Sequence, residues 1–341
     1  MGSRLAVAVF FVGVGFVVTS SAEDSRAEAF ALEAGKRVRD QPSVRGDDQD
    51  WFFLSKELRH VSAGQFWKKP WDEIAVNGTD PVDSIIEFNG LLKERGIDLL
   101  LVPVPAKAAI YPEKLAADCN LEDPYSTAPF LEEIREAGVN VLDLESRFRE
   151  LRKEEGVPNL YCGQDAHFSP AAAKLVAGWI AEELEIPDDT AGGPFTLSEE
   201  ATLTIVGDQI VGSEWEGKVA TEELPLQLVL ANGEAGIEPD DASPILLLGD
   251  SHTLVFHQGK ASGMHTDGAG VLDHLSYRTG FPVALVGVRG SGLVQARKQL
   301  FYTATSVDDF WSEKKTVVWM FSVREFTQSA DRIISVPLDR G

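Results

Sequence analysis

The chain has 341 residues, 44% of them hydrophobic, enough for a substantial core in one large domain or two small ones. Asp and Glu total 54 against 31 Lys and Arg, a net charge of −23. Nucleic acid and anionic membrane surfaces select positive patches, so a chain this acidic argues against both as partners.

Arg4, the apolar run Leu5 to Val18 and the small residues Ser20-Ser21-Ala22 read as a secretory signal peptide over residues 1–22. The run is short for a bilayer-spanning anchor, and no cysteine follows it to carry a lipid. The mature protein is therefore expected in the periplasm or outside the cell. Residues 23–45 are polar, with a helical patch near Ala27 to Val38, and are expected to form an N-terminal arm. Cys119 and Cys162 are the only cysteines; export leaves open one disulfide or two buried thiols. No Cys/His spacing suits a metal ion, and no cofactor is implied.

A turn at Gly46 leads into a strand over Trp51 to Leu54. The spacing of Val82, Ile85, Ile86, Leu91 and Leu92 predicts a helix over 81–95, capped by Asp80 and stopped by Gly96. Ile97 to Val104 is a buried strand, after which Pro105 and Lys107 shape a loop. Helix 124–137, strand 139–142 and helix 145–155 continue the alternation, the signature of an α/β protein with a mostly parallel central sheet. Ser169-Pro170 is a cap followed by proline and starts a helix over 171–185. Asp165 and His167 lie on the short loop just before it.

Residues 187–243 change character: β alternation over 203–211 and 224–230, around Gly207 and Gly212, predicts a hairpin-rich insertion rather than a separate domain. Ile245-Leu-Leu-Leu-Gly-Asp-Ser-His252 then reads as a strand buried on both faces that delivers Ser251 to the carboxyl edge of the sheet. A helix over 267–280, a strand over 283–288, a tight loop at Arg289-Gly290-Ser291-Gly292, a helix over 293–300 and a strand over 316–323 complete the domain, with residues 331–341 as a tail.

Two stretches carry chemistry. A helix starting at Ser251 would aim unpaired N–H groups at an oxyanion beside the serine hydroxyl. The same residues serve as a helix cap with a turn aspartate. A carboxylate two residues from an imidazole can fix its tautomer, as Asp165 can for His167, although an Asp-x-His pair is also an ordinary surface feature.

Trp51-Phe-Phe-Leu54, Leu100-Val-Pro-Val-Pro-Ala-Lys107, Asp165-Ala-His167-Phe-Ser, Leu246-Leu-Leu-Gly-Asp-Ser251, Arg289-Gly-Ser-Gly292 with Arg297, and Val317 to Glu325 together resemble the alginate O-acetyltransferase family AlgJ/AlgX, from about Gly46 to Glu325. The resemblance implies an SGNH hydrolase-like three-layer sandwich over residues 46–330. It implies a triad of Ser251 as nucleophile, His167 as base and Asp165 as its orienter. It also implies a polysaccharide acceptor, and an acetyl donor delivered through a membrane-bound O-acyltransferase. The backbone at Ser251 and at Gly290, Ser291 and Gly292 is the candidate oxyanion site. A polyanionic acceptor would need Lys107, Arg289, Arg297 or Arg324 to form a positive groove against the charge of −23. The sequence departs from the family at His252, where members often carry an aromatic; a residue next to the nucleophile is expected to point away from its pocket. The alternatives are an SGNH-type carbohydrate acetylesterase and a catalytically idle scaffold for polysaccharide assembly.

Overall fold

The computed structural model describes residues 16–331 and 335–339, with side chains from residue 22. Arg4 and most of the Leu5–Val18 run lie outside the described residues. A helix, Phe16–Arg37, spans the expected cleavage site and continues into the arm. No helix among the described residues is long and apolar enough to cross a membrane.

Strands β1 (Ser43–Arg45) and β2 (Phe52–Leu54) form a small antiparallel ribbon. Next come β3 (Asp98–Val104), β4 (Asn140–Val141), the insertion strands β5 (Phe195–Ile205), β6 (Glu222–Ala231) and β7 (Glu234–Ala235), then β8 (Ile245–Gly249), β9 (Ala284–Gly287) and β10 (Thr316–Ser322). The central sheet runs β4-β3-β10-β8-β9 with every neighbouring pair parallel.

Alternate residues of the inner strands feed two cores, which is why these segments read as unbroken apolar runs. Leu100, Val102, Leu247, Val318 and Met320 pack on one side with Phe30 and Ala34 of the first helix and the buried face of helix Pro170–Glu183. Leu99, Leu101, Leu246, Leu248, Val317 and Trp319 pack on the other with helices Pro81–Lys93, Ala128–Glu136 and Val294–Ser306. Helices on both faces of one parallel sheet make the expected three-layer sandwich.

The insertion is a three-stranded antiparallel sheet, β5-β6-β7. Its first strand lies upstream of the expected 203–211 and ends at Ile205. Gly207 there lies so close to the Gln164 backbone that a Cβ would sit 2.0 Å from the Gln164 carbonyl oxygen, so the chain leaves the ladder to pack on another loop. The helix expected over 267–280 is Val271–Thr279, started late by Gly268 at φ +81 and stopped by Gly280 at φ +75. Only a short 3-10 turn, Ser251–Thr253, follows β8, because Phe256 at φ 60 bends the chain away. The N-terminus of a long helix is thus not available beside Ser251. Cys119 and Cys162 are both free thiols.

Candidate active site

Parallel packing brings the ends of β3, β8, β9 and β10 to one edge of the sheet, and Ser251 sits there, directly after β8. The turn holding it is capped by Asp250, whose Oδ1 accepts from the His252 amide at 2.9 Å and from His252 Nδ1 at 3.0 Å. Asp250 Oδ2 accepts from the Ser322 amide at 2.8 Å and ties this turn to β10. Burial alone would raise the Asp250 carboxyl, but the neighbouring His252 with its hydrogen bond, the Arg324 charge and the Ser322 amide hold it below the usual carboxylate range.

Asp165 and His167 arrive on a pinched loop. Tyr161 and Phe168 form a bridge across its neck, the Cys162 amide donates to the His167 carbonyl at 3.2 Å, and Ser169 caps the helix that follows. His167 Nε2 lies 2.7 Å from Ser251 Oγ, and His167 Nδ1 lies 2.5 Å from Asp165 Oδ1. The structure thus joins these three residues, 84 positions apart at the serine–histidine contact, in one hydrogen-bonded row.

Asp165 is 1% exposed and His167 7%. Burial would raise the Asp165 carboxyl, yet the charges and hydrogen bonds of His167 and His265 hold it well below the usual range. Burial would lower the His167 imidazole, but Asp165, with Asp208 and Asp250 behind it, raises it to about 9. An ionised carboxylate only accepts, so His167 donates from Nδ1. When neutral, its Nε2 lone pair faces the serine hydroxyl, the arrangement that proton abstraction requires.

Several supports were not evident in the sequence. His265 Nε2 lies 2.8 Å from Asp165 Oδ2, and the Asp208 amide donates to the same oxygen at 2.9 Å. Asp208 Oδ1 accepts from the Ala166 amide at 2.8 Å. The Glu222 carboxylate accepts from the amides of Gly163 and Gln164 at 2.7 and 2.9 Å. The insertion therefore clasps the loop that carries Asp165. No local pattern marks Asp208, Glu222 or His265 for these roles.

Asp165, His167 and Asp208 have ligand atoms within 4.8 Å of one another. A metal ion there would compete with the Asp165–His167 hydrogen bond and with the donors already on Asp165, and the donor set suits proton transfer better.

The four cations divide. Lys107 is fully buried beneath the loop, its ammonium donating to the carbonyls of Phe52 (2.6 Å), Gly163 (2.9 Å) and Asp165 (3.1 Å). It cannot face a substrate as expected, because a strand end and a loop enclose it. Arg297 lies outside the site: it is buried, held by Glu87 at 2.7 Å, by Ser84 and by the Val336 carbonyl at 2.6 Å. Arg324 is 7% exposed, near three buried carboxyls: burial raises Glu57 to about 7 and raises Glu325, each partly offset by the Arg324 charge, while Asp250 is held low. Arg289 alone is exposed, donating to the Ser262 carbonyl. No continuous positive groove forms from these four, since Lys107, Arg297 and Arg324 are all buried.

The glycine loop lies beside the nucleophile turn. A Cβ on Gly292 would meet the Asp250 Cβ at 2.9 Å, Gly290 turns at φ +93, and Ser291 Oγ donates to Glu325 at 3.0 Å. His252 does not point away. Its ring packs on that of His167, and its Nε2 is buried without a partner among the described residues.

Residues 44–323 match the family described as SGNH hydrolase-like domain, acetyltransferase AlgX. The chain is 28% identical over 146 residues to the probable alginate O-acetylase AlgJ of Pseudomonas aeruginosa, a match covering 42% of this chain and 34% of that relative. The chain therefore spans about a third of the curated relative's length. The structure of the O-acetyltransferase domain of Pseudomonas putida AlgJ superposes with a TM-score of 0.58 at 21% identity, covering 85% of this chain and 93% of that one. Pseudomonas aeruginosa AlgX superposes at 0.56 and 19% identity, covering 88% and 64%. At these identities the two structures establish the fold.

Proposed function

The chain belongs to the AlgX family of SGNH hydrolase-like acetyltransferases, and on that premise we propose that it is an O-acetyltransferase acting on an exported polysaccharide through an acetyl-Ser251 intermediate. The observation that carries this reading is the row Ser251–His167–Asp165, with contacts of 2.7 and 2.5 Å.

In the first half-reaction His167 Nε2 takes the Ser251 proton as Oγ attacks the acetyl carbonyl carbon. The proton passes to the donor oxygen as the donor ester bond breaks, leaving acetyl on Oγ. In the second, a sugar hydroxyl gives its proton to His167 as its oxygen attacks acetyl-Ser251, and Oγ leaves and recovers that proton. The Ser251 amide and the amides of the Gly290–Gly292 loop are the proposed oxyanion donors. Asp165 keeps His167 in the donating tautomer and stabilises the imidazolium.

The acetyl donor is proposed to arrive through a membrane-bound O-acyltransferase, and the protein to work outside the cytoplasm after loss of residues 1–22. The acceptor is a polysaccharide; the absence of a positive groove among Lys107, Arg289, Arg297 and Arg324 favours one of low charge density.

The test is incubation with an acetyl ester donor and panels of anionic and neutral glycans. Acetyl-Ser251 by mass spectrometry and acetylated glycan are expected, both abolished in Ser251→Ala. Acetate release without any acetylated glycan would instead mark a carbohydrate acetylesterase. No acetyl-serine from any donor would mark a scaffold.

A further inference from the structure

We propose that His265 is a positioning residue of the acetyl-transfer centre: its imidazole clamps the second oxygen of Asp165 and so fixes the carboxylate that orients His167. The inference rests on the reading of Ser251, His167 and Asp165 given above.

Asp165 receives donors in matched pairs. Oδ1 faces His167 Nδ1 at 2.5 Å and the His167 amide at 3.0 Å. Oδ2 faces His265 Nε2 at 2.8 Å and the Asp208 amide at 2.9 Å. Each oxygen thus takes one imidazole and one backbone amide. Because the ionised carboxylate accepts only, His265 must carry its proton on Nε2. Charge-assisted hydrogen bonds of this kind are short and directional, and two on opposite oxygens remove the rotation of the carboxylate.

The backbone is held in a costly shape to make this contact. His265 has φ 71 and Phe256 φ 60, conformations that residues with a Cβ rarely adopt. The turn is braced from within: the Phe256 amide donates to the Met264 carbonyl at 3.0 Å and the Met264 amide to the Gly259 carbonyl at 3.0 Å. The Phe256 ring backs the imidazole, centroids 5.6 Å apart. Segment 251–265 begins at the nucleophile and ends at the clamp, so one loop sets both ends of the row.

The experiment compares His265→Ala with His265→Gln in the full chain. Both keep a Cβ and hence the same backbone penalty, but only glutamine offers an N–H near the lost Nε2. Two readouts are taken: kcat and KM for a small acetyl ester, and the downfield proton resonance of His167 Nδ1–H. His265→Ala is expected to lower kcat about tenfold or more with KM little changed, and to shift or broaden the resonance. His265→Gln is expected to restore most of both. Added to Asp165→Ala, His265→Ala should cost nothing further, since it acts through the missing carboxylate. An unchanged kcat and resonance in His265→Ala, or an equal loss with and without Asp165, overturns the proposal. If the wild-type chain turns over no ester, the functional reading fails, while the resonance still decides the clamp.

Discussion

The ring of His252 packs edge-on against the ring of His167, centroids 4.9 Å apart at 65°. The tight turn at Ser251–Thr253 swings the residue after the nucleophile back under the base, and Asp250 catches it through both the amide and Nδ1. Burial, then the charges of His167 and Arg324, lower this imidazole against the pull of Asp250, so it stays neutral. His252 is therefore a wall for His167 and not a second base. His252→Phe keeps the wall and leaves Asp250 its two amide donors. It should retain ester turnover within about tenfold and lose about 1–3 kcal/mol of stability. His252→Ala opens a cavity beside the base and should cost more in both. Steady-state kinetics with thermal unfolding decides: a Phe variant as inactive as His167→Ala would assign His252 to the chemistry.

The pH profile follows from His167. With its ionisation raised from 6.5 to about 9, the imidazole is protonated at neutral pH and cannot accept the serine proton. Turnover that depends on Ser251 should rise about tenfold per pH unit from neutral, as a single ionisation, and level off above about pH 9. Stability runs the other way: the ion pair with Asp165 contributes fully below pH 6.5 and is lost as pH rises through about 9. Rates corrected with the Ser251→Ala background, beside unfolding midpoints across the same range, check both. A plateau already reached at pH 7 contradicts the assignment.

Gly207 holds the insertion against the catalytic loop. A Cβ there would lie 2.0 Å from the Gln164 carbonyl oxygen and 2.7 Å from the Asp165 amide nitrogen, both rigid backbone. Gly207→Ala must push the loops apart and draw the Asp208 amide away from Asp165. A cost of about 1–3 kcal/mol is expected, with turnover down about tenfold and KM for a small ester unchanged. Kinetics on the folded variant tests it, and wild-type turnover would show that the clasp has no bearing on Asp165.

How much of this was legible depends on how local the cause is. The run of Ile245 to Leu248 ending in Gly249 specifies a doubly buried strand by itself, and Ser169-Pro170 specifies a helix start, as both appear. The placement of Asp165 near His167 was suggested by their spacing of two. That Ser251 meets His167 could come only from family resemblance, because 84 residues separate them. Lys107 and Arg297 were misplaced as groove residues for a physical reason. Sequence reports a charge but not the carbonyls or carboxylates that fold around it, and a long side chain can bury its head as readily as expose it. Asp208, Glu222 and His265 are set by how the insertion and the 251–265 loop close over the sheet edge, and no short-range pattern records that closure.

Lys107 should behave as a buried staple. Its ammonium is enclosed by the carbonyls of Phe52, Gly163 and Asp165 and lies over the rings of Trp51 and Phe53 at 5.0 and 5.2 Å. Burial lowers its ionisation, offset by Cys162, Glu222, Asp165 and Glu57. Lys107→Met fills the space but strands three carbonyls, so a loss of at least about 3 kcal/mol is expected. Lys107→Arg adds volume to a closed site and should be no rescue. Denaturant unfolding measures both; an Arg variant as stable as wild type would mean that the ammonium site is open.

The N-terminal helix sets where processing can fall without cost. In Phe16–Arg37 the residues that enter the core are Ala27, Phe30, Ala31 and Ala34, at 5%, 2%, 8% and 0% exposure, while residues 22–26 are exposed. Signal cleavage after Ala22 therefore removes none of these core contacts. Exported protein should begin at or near Glu23 by N-terminal sequencing, and its unfolding midpoint should match that of a chain made to begin there. Removing the chain through Phe30 takes a fully buried ring out of the core and should cost about 3–5 kcal/mol. An exported chain that still begins at Met1 would make the segment an anchor, and a midpoint unaffected by the longer truncation would mean that the helix is not part of the domain.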